Sequence, residues 1–180
     1  MYDYQEMQET KGCLQMSKPI EHCYWVVPGR LLAGEYPGNI QHQAAKERIE
    51  AFQRCGISAF INLTQPHELT PYEELLTEAT HHRFGIRDVS VPYSHEQTST
   101  ILDTIDIHLQ EGRNVYVHCW GGVGRTGVII GCWLARHGLY GKDALVRLRE
   151  LWKECPKSGW KISPETPQQE HYIINWVAGR

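Results

Sequence analysis

The chain has no apolar run that approaches membrane-spanning length, which excludes a helical span, and its N-terminus is polar and acidic rather than signal-like. It has no Cys-x-x-Cys and no Cys/His cluster with zinc spacing. Its six cysteines (Cys13, Cys23, Cys55, Cys119, Cys132 and Cys155) are scattered, so no metal centre and no disulfide framework is expected. That usage fits a reduced, cytoplasmic setting. Charge of one sign is lacking too: 18 basic against 21 acidic residues leave a net −3, which gives no bulk affinity for nucleic acid or an anionic membrane. Internal repeats and interior linkers are missing.

What is present fits one globular domain. The 180 residues, 41% hydrophobic, are enough for a substantial core. Residues 1–18, rich in Gln, Glu and Met, read as an N-terminal arm, and 19–180 as a single domain. Tyr2 and Tyr4 lie in that arm beside acidic residues. The ten histidines are spread out, and His81-His82 reads as a surface pair rather than a metal site.

The informative stretch is Val115-Tyr116-Val117-His118-Cys119-Trp120-Gly121-Gly122-Val123-Gly124-Arg125-Thr126-Gly127. It reads as an apolar strand ending in a cysteine, a glycine-rich turn, and an apolar helix from Val128. A loop between a strand and a helix N-terminus can aim several backbone N–H groups at one point, which makes an anion site. Gly121, Gly122 and Gly124 are expected to supply positive φ and close backbone approach. Arg125 is the only charge in the loop, and its planar fork can clamp two phosphate oxygens. Helix N-termini and cations favour thiolates, so Cys119 reads as a nucleophile on the floor of a phosphate cradle. Thr126 can donate its hydroxyl to the sulfur.

His118-Cys119-x5-Arg125-Thr126, with the Gly-x-Gly-Arg-Thr-Gly ending, resembles the signature of the cysteine-dependent protein tyrosine phosphatases. The short chain and the frame Ile86-Arg87-Asp88-Val89-Ser90-Val91-Pro92 look most like the small, prokaryotic-type dual-specificity branch. The resemblance covers most of residues 20–178. It implies that Cys119 attacks phosphorus and that Arg125 and the loop residues Trp120, Gly121, Gly122, Val123 and Gly124 bind the phosphoryl group. It also implies that Asp88, 31 residues before the cysteine, is the general acid and then the base. His118 would orient the loop and tune the thiolate. In the segment Ser163 to Tyr172, Gln169 is the residue whose register suits water positioning. No cofactor or metal is implied. The expected substrate is a phosphoprotein carrying phosphotyrosine, with phosphoserine and phosphothreonine accepted.

Other readings compete. A phosphoinositide, inositol phosphate or RNA 5′-phosphate phosphatase of the same superfamily would favour lysines within the loop, where this chain has Trp120 and Val123. A non-catalytic phosphate-binding module would have lost the cysteine, arginine or aspartate, and a rhodanese-like sulfurtransferase needs neither Asp88 nor the Arg-Thr pair. Asp103 and Asp106 compete with Asp88 but fall within an expected helix. Cys55 and Cys132 are candidates to resolve an oxidised Cys119, against the simpler reading of core thiols.

The expected fold is α/β: a mostly parallel central sheet with helices on both faces, as in protein tyrosine phosphatases. Strands are expected at Tyr24–Val27, Leu31–Gly34, Ile57–Leu63, Arg83–Ile86 and before Cys119. Helices are expected at Ile40–Arg54 capped by Asn39, and from Pro71 to Ala79. Further helices should span Thr100–Glu111 capped by Thr98 or Ser99, Val128–His137, Asp143–Leu151, and Pro164–Val177 opened by Ser163.

Overall fold

The computed structural model describes residues 17–177. Most of the expected arm, with Tyr2, Tyr4 and Cys13, lies outside the described residues. Lys18 is inside them, and its Nζ donates to the carbonyls of Cys23 (3.1 Å) and Glu154 (2.9 Å).

Five strands form one sheet in the order β1 (Cys23–Val27), β2 (Leu31–Gly34), β5 (Asn114–His118), β3 (Ile57–Asn62), β4 (Thr80–Arg83). The β1–β2 hairpin is antiparallel and the other three pairings are parallel. One face is covered by α1 (His42–Arg54). The other carries α2 (His95–Gln110), α3 (Gly124–Arg136), α4 (Lys142–Trp152) and α5 (Pro167–Ile174). The expected α/β architecture is the one observed.

Strand periodicity of two sorts side chains between two cores. In β5, Tyr116 joins Phe52 and Ile49 of α1, with Phe60 and Tyr72, while Val115 and Val117 join the helices of the opposite face. Each fully buried side chain of this size contributes about 1.5–3 kcal/mol. Helix α3 is the centre of the larger core, buried from Gly124 through Ala135, as its apolar composition on every side requires.

Several boundaries differ from the sequence-based expectation. Helix α1 starts at His42, because Asn39 closes a local turn through Gln41 N–H (2.9 Å) instead of capping. Pro71 opens no α-helix, and only a 3-10 turn at Glu73–Leu75 forms. The strand expected at Arg83–Ile86 lies earlier, at Thr80–Arg83, so His81 and His82 sit half-buried in an edge strand rather than on the surface. His82 Nε2 pairs with His108 Nε2 at 2.9 Å. Helix α2 begins at His95 with Ser94 as its cap, accepting from Gln97 N–H at 3.0 Å. The last helix starts at Pro167, not Pro164, with Thr166 as cap. Ser163 lies outside the helix, and its hydroxyl donates across the fold to Val123 O at 2.8 Å.

Candidate active site

In open α/β sheets the carboxyl ends of the strands are the natural place for a site. Here β5 ends at His118 and delivers Cys119, β3 ends at Asn62 before Glu68, and β4 ends at Arg83 before Asp88. A cavity of about 340 Å³ opens at this edge, lined by Cys119, Trp120, Gly121, Val123 and Gly124 from the loop, by Asp88, and by Lys161 and Glu165.

Helix α3 begins at Gly124 rather than Val128, so Arg125 and Thr126 form its first turn and its free N–H groups lie beside the cavity. Of the three loop glycines expected to have positive φ, only Gly122 does, at 74°. It faces away from the cavity: a Cβ there would lie 2.4 Å from Gly34 C, so β2 and the loop can touch only because the side chain is missing. At Gly124 the Glu165 carboxylate and the Gln169 amide pack directly against the first turn of α3, in the space a Cβ would take. Two further bonds pin the loop. Tyr36 N–H donates to Trp120 O (2.8 Å), and Lys157 Nζ donates to Gly121 O (2.9 Å) while pairing with Glu35 (2.7 Å).

His118 is fully buried, and burial pushes its pKa down to about 3, so the imidazole is neutral. Its Nδ1 lies 3.2 Å from Cys119 O and its Nε2 2.6 Å from the Tyr72 hydroxyl. Burial holds the Tyr72 phenol protonated, so Tyr72 donates to Nε2, and Nδ1–H is left to donate to the carbonyl. His118 thus ties the start of the loop to Tyr72, and a neutral ring offers no positive charge to the neighbouring sulfur.

Arg125 is 1% exposed. Its Nη1 and Nη2 donate to both Glu68 oxygens at 2.8 and 2.7 Å, Nη1 also to Ile86 O at 3.1 Å, and Nη2 pairs with Asp88 Oδ1 at 2.8 Å. Burial opposes the charge, but Glu68, Cys119 and Asp88 more than offset it and raise the Arg125 pKa. Its Nε and the Thr126 hydroxyl are buried without hydrogen-bond partners. These are two unused donors at the loop. Thr126 makes no bond to the sulfur here.

Glu68 escaped the sequence reading. It lies 57 residues from Arg125, and no spacing links them. The one available signal was its place in the loop after a strand that neighbours β5. Burial raises its pKa, but Arg125 and the Gln65 N–H outweigh that and hold the carboxyl below its ordinary value. A depressed carboxylate stabilises the fold fully above its unfolded pKa, near 4.3, and loses this as the pH falls through the folded value. Glu68→Gln is therefore expected to cost about 1–3 kcal/mol at neutral pH. The Tm gap to the wild type should close below about pH 4, which thermal melts across pH will check.

Asp88 is half exposed at the cavity and reaches Arg125, whereas Asp103 and Asp106 point to Arg136 from helix α2. Gln169 is fully buried, with both ends of its amide bonded to backbone. Trp120 is 59% exposed, so it is a lip of the cavity and not a core residue. Cys132 is buried within α3, where burial raises its thiol pKa, so it is a core cysteine. Among the described residues no group of three or more His, Cys, Asp or Glu could hold a metal, and no helix is long and apolar enough to cross a membrane.

Comparison with known proteins places this site in a class. The structure of kinase associated phosphatase, solved with its catalytic-site cysteine changed to serine, superimposes with a TM-score of 0.68 at 21% identity, over 79% of this chain and 83% of that one. The fold is thus that of the tyrosine and dual-specificity phosphatases. The chain belongs to the family described as "Polymorphic toxin system, DSP-PTPase phosphatase", whose model matches residues 35–139. That segment contains Glu68, Asp88, Cys119 and Arg125 and ends before Glu165 and Gln169. An uncharacterised protein of Methanocaldococcus jannaschii is 32% identical over 95 residues, 53% of this chain and 58% of its own length. Protein tyrosine phosphatase domain-containing protein 1 of Danio rerio is 36% identical over 104 residues, 48% of this chain and 14% of its own length. The chain thus spans little more than half of the M. jannaschii protein and a small part of the other.

Proposed function

We propose that the protein hydrolyses phosphate monoesters on proteins, phosphotyrosine first, through a phosphocysteine intermediate. The observation that carries this reading is the single cavity that joins Cys119, Asp88 and the N-terminus of α3, with Arg125 directly behind it. The phosphoryl oxygens face the N–H groups of the Trp120–Gly124 loop and the Arg125 guanidinium, and they take over the Nη2 donor that Asp88 now holds. The Cys119 thiolate Sγ forms a bond to phosphorus as the ester P–O bond breaks, and Asp88, released from Arg125 and protonated from solvent, gives that proton to the leaving oxygen. Asp88 then takes a proton from water as the water oxygen bonds to phosphorus and the S–P bond breaks, which restores the thiolate. The protein contributes mainly positioning and fixed charge, as phosphoryl transfer requires.

The uncharged Trp120 lip supports an aromatic phosphoester over an inositol polyphosphate, although Lys161 brings one cation to the cavity beyond the loop itself. A thiol nucleophile operates in a reducing compartment, which supports a cytoplasmic site of action. The protein is expected to hydrolyse para-nitrophenyl phosphate in the presence of EDTA and to be inhibited by vanadate. Turnover of phosphotyrosine peptides is expected to exceed that of phosphoserine peptides, phosphoinositides and 5′-phosphorylated RNA. Strict dependence on a divalent ion would overturn the chemistry, and a preference for phosphoinositides or RNA would overturn the substrate.

A further inference from the structure

We propose that Gln169 is a positioning residue that latches the Asp88 loop over the cavity, rather than the residue that holds the hydrolytic water. This assignment rests on the phosphatase reading above. Gln169 Oε1 accepts from Glu165 N–H at 3.1 Å, its Nε2 donates to Ser90 O at 2.9 Å, and the side chain is fully buried. The amide oxygen is taken by Glu165 N–H and one of the two N–H donors by Ser90 O, so the side chain ties the Asp88 loop to the segment before α5. Ser90 lies two residues beyond Asp88, so the bond fixes the loop next to the acid.

The loop needs such a hold. Val89, between Asp88 and Ser90, has φ 56°, a left-handed conformation that β-branched residues avoid. Conformations of this kind persist only where the surroundings over-determine them. On one side of Val89 the Asp88–Arg125 pair supplies the restraint, and on the other the Ser90–Gln169 bond does. When phosphate displaces Asp88 from Arg125 the first restraint is lost. Gln169 then remains to keep the strained turn, and with it the carboxyl, facing the cavity.

The test uses the whole chain and a series of aryl phosphates of increasing leaving-group pKa. Gln169→Ala is expected to lower kcat for phenyl phosphate about 10- to 100-fold, part of what a general acid supplies. For 2,4-dinitrophenyl phosphate, whose leaving group scarcely needs a proton, the loss should stay within about 3-fold, so the dependence on leaving group steepens. The variant combining Asp88→Asn with Gln169→Ala should be no slower than Asp88→Asn alone, because the latch acts through the acid. Amide hydrogen exchange over residues 89–91 should quicken in Gln169→Ala. If that variant fails to fold, Gln169→Glu keeps the shape, loses the donor and must show the same pattern. Equal losses across the series, a burst of phenol with accumulating phosphocysteine, or unchanged exchange would each overturn the latch. If the wild type hydrolyses no aryl phosphate, the phosphatase reading fails, and the exchange measurement by itself decides whether Gln169 holds the loop.

Discussion

Cys119→Ser is expected to abolish turnover while leaving phosphate binding intact. The substitution changes one atom of a side chain that is 3% exposed, so the pinned loop, the first turn of α3 and Arg125 keep their places. A serine hydroxyl lacks the thiol's access to an anionic nucleophile at neutral pH, and His118, neutral with both ring nitrogens engaged, is not placed to act as its base. The loss should be on the order of 10⁴-fold or more in kcat, as when a nucleophile is removed from an otherwise complete site. Calorimetric titration with a phosphotyrosine peptide should still show binding. Retained activity would remove Cys119 from the chemistry.

The second large effect belongs to Asp88. Asp88→Asn removes the proposed proton donor and should lower kcat by about 10²–10⁴ on esters with poor leaving groups. It also removes a carboxylate that holds Arg125 Nη2, the donor assigned to the phosphate in the proposed reaction. KM is therefore expected to stay level or fall while kcat drops, a split that distinguishes a lost acid from a lost binding contact. The side chain is half exposed, so little change in Tm is expected from the missing ion pair. Steady-state kinetics on phenyl phosphate will show the split, and an unchanged kcat would take Asp88 out of the role.

The strand-loop-helix core of the site was legible in the sequence because its signals are local. Alternation in Val115 to His118 sets which face each residue meets, the glycines mark the turn, and the apolar run after Arg125 can only be a buried helix. The misread boundaries share one cause. Ser94, Thr98, Ser99, Ser163 and Thr166 are all competent caps, and tertiary contacts decide among them. Ser163 donates to Val123 O across the fold, and Thr166 caps the last helix. Likewise Pro71 permits a helix, but Tyr72 is claimed by His118 and the aromatic core, and only a 3-10 turn follows. Glu68 was invisible for a different reason. A buried arginine must have a carboxylate, yet nothing local says which one the sheet will bring to it. The expectation that Gln169 positions water came from its register with the family's glutamine segment; the structure adds what no register shows, that the amide bonds Ser90 O and Glu165 N–H.

The contact between Gly122 and Gly34, with the bonds from Tyr36 and Lys157, has a consequence for affinity. A flexible anion loop surrenders conformational entropy each time a phosphate enters, and that loss is subtracted from every binding event. In this fold the loop is already held by β2, Tyr36 and Lys157. Ligand association then has little left to order beyond the Asp88 side. If the loop binds phosphate as proposed, small phosphate mimics with no other contacts should gain as much from its rigidity as a full peptide does.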